Sequence, residues 1–337
     1  MANIILNKTN FFNNLQIILD KTKSKNKIAL VLKDNAYGHG ILEIAGMAQE
    51  FGLSRAVVQS YDEALKIEKF FEYVLVLADF PVVQNNKIRY TINSLESIKK
   101  FPKDTKVELK VDTGMHRNGI AMGELKEALK QIEEAKLVLE AVFTHHRSAD
   151  ELSSEWFWQN ENFKKVKDEV LALGYKNLRF HSSNSASLFR FNEFSEDMAR
   201  VGICAYGCME MAKPLGVDGF KPVLSLYADK ISSRELKKGD AIGYGASFYL
   251  KEDSVISNYD FGYGDGFLRV LSNNYKTPKS KKLVGRISMD NSSFICTDDK
   301  ILIFDDARVI ASSAKTISYE VLTTLKATLK REIVCYR

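Results

Sequence analysis

The segment Ile28-Ala-Leu-Val-Leu-Lys-Asp-Asn-Ala-Tyr-Gly-His-Gly40 joins a short apolar run to a lysine and then to a loop with two glycines. The run at 28–32 is aliphatic, which is typical of a strand buried in a sheet. Lys33 therefore lies at the carboxyl end of a predicted strand. A lysine at such a place is most often a side chain that extends to solvent, so the rest of the chain has to decide its role.

Seven more short runs of this kind follow, and segments with the period of a helix lie between them. The predicted strands cover residues 28–32, 56–58, 74–77, 89–92, 107–111, 137–143, 178–180 and 200–205, and helices are predicted over 62–71, 123–134 and 160–173. Eight strands with helical crossovers predict a parallel (β/α)₈ TIM barrel of the α/β class. A doubly wound parallel sheet is the alternative that the same alternation permits.

The pattern changes after Pro222, where strand-like pieces alternate with turn signals and long helical intervals are missing. Strands are predicted at 223–227, 254–259, 283–287 and 293–296, which indicates a smaller β-rich domain. We expect a barrel domain over 1–222 and a C-terminal β-domain over 223–337. A helix around 11–21 precedes the first barrel strand and is a candidate for sharing between the two domains.

Size and charge are those of an ordinary two-domain globular protein. The chain has 337 residues, of which 45% are hydrophobic and 27% charged, with a formal net charge of +5. The lysines are scattered rather than gathered in one patch, so we do not expect nucleic-acid binding. The charge is compatible with a small anionic ligand without requiring one.

The N-terminal stretch lacks the features of a signal peptide, and no apolar run has the length of a membrane helix. We therefore expect a cytoplasmic protein without a membrane partner. None of the four cysteines forms a Cys-x-x-Cys pair and no histidine pair has zinc-ligand spacing, so no metal site is predicted. Cys204 and Cys208 are interpreted as reduced core thiols.

Chemically active side chains follow several of the predicted barrel strands. In a TIM barrel the carboxyl ends of all strands meet on one face, where active sites form. The segments that would meet there are Lys33 to Gly40, Lys110-Val-Asp-Thr-Gly-Met-His-Arg117, Thr144-His145-His146 with Asp150, His181-Ser-Ser-Asn184-Ser185, and Arg200-Val-Gly202-Ile203. They bring lysines, imidazoles, arginines and an Asn-Ser loop to one place.

Taken in order, these segments resemble the motifs of the alanine racemases, and Lys33 to Gly40 is similar to the family's cofactor-lysine motif. The resemblance covers nearly the whole chain. It continues through Gly243-Tyr244-Gly, Gly262-Tyr263-Gly-Asp-Gly, Gly285-Arg286-Ile-Ser-Met289-Asp290 and Ile317-Ser-Tyr319-Glu. So many ordered motifs do not coincide by chance.

The resemblance implies pyridoxal 5'-phosphate as cofactor, bound covalently by Lys33, which also serves as one base in proton transfer. It places Arg200 at the pyridine nitrogen, with His181 hydrogen-bonded to this arginine and His145 stacked on the ring. The remaining cofactor-binding residues would be Asn184 and the phosphate group's partners Ser185, Gly202, Ile203, Tyr37 and Tyr319.

Racemisation removes a proton from one face of Cα and returns one to the other, which requires two acid–base groups. In the family resembled, the second group corresponds to Tyr244 and comes from the partner subunit of a head-to-tail homodimer. Arg117 and Met289 match the clamp for the substrate carboxylate, and Lys110 matches a lysine that some relatives carry as a carbamate. Supporting or entryway positions are Asp150, Tyr263, Arg269, Arg286 and Asp290.

The implied function is interconversion of L- and D-alanine, which supplies D-alanine for bacterial peptidoglycan. Two residues depart from the family pattern: Asp34 replaces a small residue, and His116 precedes Arg117 where glycine or asparagine is commoner. These two differences leave the range of substrates and the catalytic rate undetermined. Alternatives are a racemase for serine, lysine or other amino acids, a decarboxylase of the same fold, or a non-enzymatic carrier of the cofactor. The carrier barrels lack a second domain, which argues against that alternative.

Overall fold

The computed structural model describes residues 2–335. Its strands are β1 (Asn3–Asn7), β2 (Ile28–Val31), β3 (Arg55–Val58), β4 (Tyr73–Val76), β5 (Ile88–Ile92), β6 (Lys106–Asp112), β7 (Ile120–Ala121), β8 (Val138–Phe143), β9 (Arg179–His181), β10 (Ala199–Val201), β11 (Leu224–Leu236), β12 (Ala241–Ile242), β13 (Phe248–Tyr249), β14 (Ser254–Tyr259), β15 (Lys282–Val284), β16 (Ser292–Ile295), β17 (Lys300–Phe304) and β18 (Lys330–Val334). The helices are α1 (Lys8–Thr22), α2 (Lys33–Tyr37), α3 (Ile41–Phe51), α4 (Tyr61–Ile67), α5 (Leu95–Ile98), α6 (Leu125–Glu134), α7 (Glu155–Ala172), α8 (Ser185–Arg190), α9 (Ala307–Ala314) and α10 (Ser318–Thr323).

Eight parallel strands form a nearly closed barrel in the order β10-β2-β3-β4-β5-β6-β8-β9. The last strand of the series, β10, pairs with the first, β2, and this return is what a doubly wound sheet lacks. Between β9 and β10 the amide of Arg200 donates to the carbonyl of Ser183 at 2.9 Å, which brings the two remaining edges together. The predicted TIM barrel is confirmed.

The predicted elements lie where expected, and the differences at their ends have local causes. The strand predicted at 200–205 ends at Val201, because the chain turns at Gly202, whose carbonyl accepts the amide of Ala205 at 2.9 Å. The strand predicted at 283–287 ends at Val284, since Gly285 has a φ of +75°. Such a left-handed residue interrupts a strand.

A second sheet follows the barrel, with the strand order β15-β16-β14-β11-β1-β18 and with β17 also paired to β11. Its member β1 comes from the N-terminus and pairs antiparallel to β11 and parallel to β18. Ile4 and Leu6 of β1 are fully buried, in one continuous hydrophobic core with barrel residues such as Leu30. The N-terminal strand β1 therefore belongs to the second sheet, although it precedes the barrel strands in the sequence.

Within residues 2–335 no helix is both long and apolar enough to cross a membrane. Cys204 and Cys208 are buried and free, as predicted. Burial raises the pKa of both thiols to about 12, which keeps them protonated and unreactive near neutral pH.

Candidate active site

A cavity of about 760 Å³ opens at the carboxyl ends of the barrel strands. This is the face on which TIM-barrel active sites lie. Twelve of the predicted site residues line it: Lys33, Tyr37, Lys110, Arg117, His145, Asp150, Asn184, Ser185, Arg200, Gly202, Ile203 and Tyr319. The separate segments singled out in the sequence thus meet in one place.

The helical turn α2 positions Lys33 at the cavity. It is left-handed, because residues 34–37 all have φ between +52° and +54°. Non-glycine residues pay about 1–2 kcal/mol each for this conformation. Contacts from the rest of the fold offset the cost; for example, the amide of Asp34 donates to the Glu63 carboxylate at 2.7 Å. A segment held in such a conformation is fixed in direction, and so is the lysine that begins it.

The opposite end of the cavity is shaped for a phosphate. The Ser185 hydroxyl accepts the amides of Gly202 at 3.1 Å and Cys204 at 3.4 Å. A Cβ at Gly202 would lie 2.8 Å from the Tyr37 hydroxyl, so only glycine leaves this space open. Burial raises the pKa values of the Tyr37 and Tyr319 hydroxyls, which keeps both protonated and able to donate.

Five cationic side chains line the same cavity: Lys33, Lys110, Arg117, Arg147 and Arg200. Burial, together with the charges of Arg117 and Arg200, lowers the pKa of Lys110 to about 8. Such a concentration of positive charge suits a ligand with a phosphate and a carboxylate.

Arg200 is held from behind by a buried polar network. Its Nη1 lies 2.5 Å from Nδ1 of His181, and its Nη2 donates to the Thr144 carbonyl at 2.7 Å. Burial lowers the pKa of Arg200 to about 10, so the guanidinium stays charged near neutral pH. His145, which also lines the cavity, has its pKa lowered by burial and by Arg200, and is neutral there.

Apart from Tyr319, the predicted residues of the second domain lie away from this cavity within the chain. Tyr244, Met289 and Tyr263 are 66%, 56% and 43% exposed. They are neighbours of one another: the amide of Gly264 donates to the carbonyl of Met289 at 2.8 Å, and a Cβ at Gly245 would lie 3.1 Å from the Arg286 guanidinium. Arg269, Arg286 and Asp290 are exposed as well. The structure thus groups the site residues into a barrel cavity and a separate exposed face, called here the Tyr244 face.

Family models and related proteins match this chain over nearly its whole length. The family model for the alanine racemase N-terminal domain matches residues 6–210, and the model for the C-terminal domain matches residues 223–333. An alanine racemase from Nitratiruptor sp. is 45% identical over 335 residues, covering 98% of this chain and 99% of the relative. One from Campylobacter curvus is 42% identical and covers 99% and 100%. The chain belongs to the alanine racemase family.

Solved alanine racemases have the same fold over almost the entire chain. The Bacillus anthracis alanine racemase with bound L-Ala-P aligns with a TM-score of 0.91 and 29% identity, over 99% of this chain and 95% of that one. The Bartonella henselae alanine racemase with covalently bound pyridoxal phosphate aligns with a TM-score of 0.85 and 25% identity, over 99% of both chains. Membership of the alanine racemase family, with its second domain, removes the carrier and decarboxylase alternatives.

The cavity of this alanine racemase family member fits pyridoxal phosphate by its own chemistry. A primary amine, that of Lys33, is available for the aldehyde, and the hydroxyls of Tyr37, Ser185 and Tyr319 line the cavity and can donate to a phosphate. The space at Gly202, which any larger residue would fill, lies beside the Tyr37 hydroxyl. These residues would hold the cofactor.

The sequence analysis missed several residues of the site. Arg147 lines the cavity and donates to the Gly114 carbonyl at 2.8 Å, next to the loop that carries Arg117. Glu108 lies behind the cavity and accepts a hydrogen bond from His181 at 2.9 Å. The available signal for Glu108 was a charged residue inside the apolar strand Val107-Glu-Leu-Lys-Val111, on the same side of the strand as Lys110.

Proposed function

We propose that the barrel cavity of one subunit and the Tyr244 face of another form a single site for the racemisation of alanine. As a member of the alanine racemase family, the protein is an isomerase that interconverts L-alanine and D-alanine with pyridoxal phosphate. D-alanine is the form needed for bacterial peptidoglycan. The observation that carries the proposal is the fixed lysine amine of Lys33 in one cavity with a phosphate-binding end and the Arg117 guanidinium.

Lys33 would hold the cofactor covalently through its Nζ, and the free amine accepts or returns a proton on one side of Cα. When bound, pyridoxal phosphate supplies the electron sink for the electron pair left on Cα. Arg117 holds the substrate carboxylate with its forked donors, and the amide of Met289 from the Tyr244 face completes the clamp. Both contacts orient Cα with one side towards Lys33.

Tyr244 moves the proton on the opposite side of Cα. Its 66% exposure in the single chain supports this role, since a catalytic tyrosine left in solvent has no function until another surface covers it. A head-to-tail homodimer, in which each second domain covers the partner's barrel, supplies that surface. Such an arrangement produces two identical sites.

Arg200 keeps a positive charge beside the pyridine nitrogen and so disfavours a proton there. This weakens the pull on the electrons of Cα and favours return of the proton to Cα over transfer to the cofactor, which would lead to transamination. His145 would lie against the cofactor, and the Ser185 hydroxyl with the amides of Gly202 and Ile203 would hold its phosphate. Asn184 caps α8 by accepting the amide of Ser187 at 2.9 Å, which holds Ser185 in place.

Lys110 supports Arg117 from inside the barrel, and its pKa of about 8 leaves part of the amine neutral near neutral pH. Only a neutral amine can take up carbon dioxide as a carbamate, which would add a negative group beside these cations. The substrate enters past Asp150 of the barrel and the exposed residues Tyr263, Arg269, Arg286 and Asp290 of the partner. We place the enzyme in the cytoplasm, where its buried thiols stay reduced.

The purified enzyme tests the reaction directly. With L-alanine, L-serine, L-lysine and L-histidine offered separately, formation of the D-enantiomer is measured by chiral chromatography. We expect alanine to have the highest kcat/KM. Histidine is in the panel because a histidine racemase from Leuconostoc mesenteroides has the same fold, with a TM-score of 0.85 at 23% identity. A higher kcat/KM for another amino acid would overturn alanine as the substrate.

The cofactor lysine is tested by reduction with borohydride followed by peptide mass spectrometry. The reduced cofactor should be attached to Lys33, and the Lys33→Ala variant should neither retain it nor form D-alanine. Lys110→Ala is the matched control, because Lys110 lines the same cavity and should leave the attachment unchanged. Attachment at any other lysine would overturn the assignment.

A further inference from the structure

Glu108 is a fully buried carboxylate in the middle of β6, behind the cavity. A buried carboxylate is unfavourable unless donors surround it. Glu108 accepts the Tyr73 hydroxyl at 2.6 Å, the Arg179 guanidinium at 2.8 Å and His181 Nε2 at 2.9 Å. Burial opposes ionisation, yet the hydrogen bonds from His181 and Tyr73 and the charge of Arg179 lower the pKa of Glu108. It is therefore ionised and can only accept.

The ionised Glu108 determines which nitrogen of His181 carries the proton. Burial lowers the pKa of His181, so the imidazole is neutral near neutral pH and has one N–H. Because Glu108 has no proton to give, this N–H must be on Nε2. Nδ1 is then an unprotonated acceptor, and it faces Nη1 of Arg200 at 2.5 Å.

Arg200 can only donate, so the other form of His181 would set two N–H groups against each other. The Thr144 carbonyl at 2.7 Å and the Ser182 carbonyl at 3.2 Å hold Nη2 of Arg200, but Nη1 depends on His181. The ring of Phe143 stacks on His181 with centroids 4.8 Å apart, and the Arg200 guanidinium lies 5.0 Å above the same ring. Nη1 also donates to the His181 carbonyl at 3.4 Å, so an accepting Nδ1 provides the shortest of the contacts that fix the plane of the guanidinium.

We propose that Glu108 is a positioning residue for racemisation, which fixes His181 with its proton on Nε2 and thereby orients Arg200 towards the cavity. The inference rests on the proposed function only in taking Arg200 as the residue at the pyridine nitrogen. The same arrangement, a carboxylate that fixes the proton of a histidine and through it a functional group, recurs in catalytic triads and metal sites.

The protonation of His181 is read directly by solid-state ¹⁵N NMR of protein labelled at histidine, with His181→Asn to assign the signals. In the wild type, His181 should have a protonated Nε2 and an unprotonated Nδ1 at pH 7.5. A protonated Nδ1 or a doubly protonated ring would overturn the proposal. This measurement needs neither a variant at Glu108 nor turnover, so it stands even if such a variant does not fold.

Glu108→Gln tests the cause, because a carboxamide of the same shape can either accept from or donate to Nε2. We expect both protonation forms of His181 in this variant, and a kcat lowered roughly 10-fold with KM for alanine changed less than 2-fold, as expected for a supporting residue behind a site. Glu140→Gln is the matched control. Glu140 accepts the same Arg179 at 3.0 Å without contacting His181, and its variant should keep the wild-type spectrum and kcat.

Two results would overturn the role of Glu108: a Glu108→Gln variant with the wild-type spectrum, or one with an altered spectrum and an unchanged kcat. Failure of the proposed function has a different signature. In that case the wild-type protein would form no D-alanine at all, while the NMR spectrum of His181 would still show the proton on Nε2.

Discussion

The ring of Tyr319, on α10 of the second domain, lies 5.7 Å from the ring of Tyr37, which ends the left-handed turn of the barrel. The second domain therefore contributes Tyr319 to the cavity of its own chain, while its Tyr244 face is exposed. In the proposed homodimer, each second domain would thus serve two sites. Both tyrosine hydroxyls are protonated, because burial raises their pKa values.

Removing either hydroxyl should weaken cofactor binding. A hydrogen bond to a charged group contributes about 1.5–3 kcal/mol, so Tyr37→Phe and Tyr319→Phe should each raise the Kd for pyridoxal phosphate roughly 10- to 100-fold. The Kd is measured by absorbance titration of cofactor-free protein. Tyr249→Phe, at a 61% exposed tyrosine of the second domain, is the control and should bind as the wild type does. Unchanged affinity in both cavity variants would remove them from the phosphate site.

Lys110 should make the stability of the protein rise with pH in the alkaline range. Burial lowers its folded-state pKa from 10.5 to about 8, so between these values the unfolded chain binds more protons than the folded one. The coupling of protonation to folding then raises the free energy of unfolding by up to about 1.4 kcal/mol per pH unit in this range. Below pH ~8 Lys110 is charged in the folded protein, which then bears the full cost of burying that charge. Urea unfolding at pH 7.5 and 9.5 measures this slope.

The variant Lys110→Met should lose this part of the slope, because methionine does not titrate. Lys106→Met, on the same strand but with a side chain 30% exposed, serves as the control and should keep it. Equal slopes for Lys110→Met and the wild type would contradict the lowered pKa of Lys110.

His39 should make the protein less stable as the pH falls. Burial lowers its folded-state pKa to about 4, against 6.5 for an unperturbed histidine, so the unfolded chain binds more protons in this window. Stability is therefore lost as the pH falls from about 6.5 towards 4. Unfolding by urea at pH 7 and pH 5 should show a smaller loss for His39→Gln than for the wild type. His116→Gln, at an exposed histidine, should show the wild-type loss.

Arg200→Glu should raise transamination relative to racemisation. A carboxylate at this position favours a protonated pyridine ring, which strengthens electron withdrawal from Cα and gives a proton more time to reach the cofactor. Pyruvate formed per D-alanine formed measures the ratio, and Arg234→Glu, at an exposed residue of β11, is the control for the charge change. A folded Arg200→Glu variant that binds the cofactor and keeps the wild-type ratio would contradict the electronic role of Arg200.

The sequence alone was sufficient for the barrel and for twelve of the residues that line its cavity, because strand ends of a TIM barrel meet on one face and the motifs lie at those ends. It was not sufficient for the left-handed turn after Lys33. Four consecutive non-glycine residues do not prefer positive φ. Distant contacts make the turn possible, such as the stacking of His39 on Tyr206 at 4.4 Å and the bond from Arg331 to the Gly38 carbonyl at 2.8 Å.

The partners of Glu108 and the pairing of β1 are two further features that the sequence alone could not predict. A glutamate within an apolar strand does not reveal its partners, since Tyr73 comes from β4 and Arg179 and His181 come from β9. The pairing of β1 with β11 joins residues more than 200 positions apart, for example Ile4 with Leu226. The periodicity of neighbouring residues gives no information about contacts between residues so far apart in the sequence.

A site shared between subunits is the central claim, and mixing two inactive variants tests it most directly. Lys33→Ala and Tyr244→Phe should each be nearly inactive. After verified subunit exchange, about half of the dimers are mixed, and each mixed dimer has one site with both residues intact, so racemisation should recover to about a quarter of the wild-type activity. No recovery despite verified exchange would contradict the claim, because it would place both residues in one subunit's site or remove Tyr244 from the reaction.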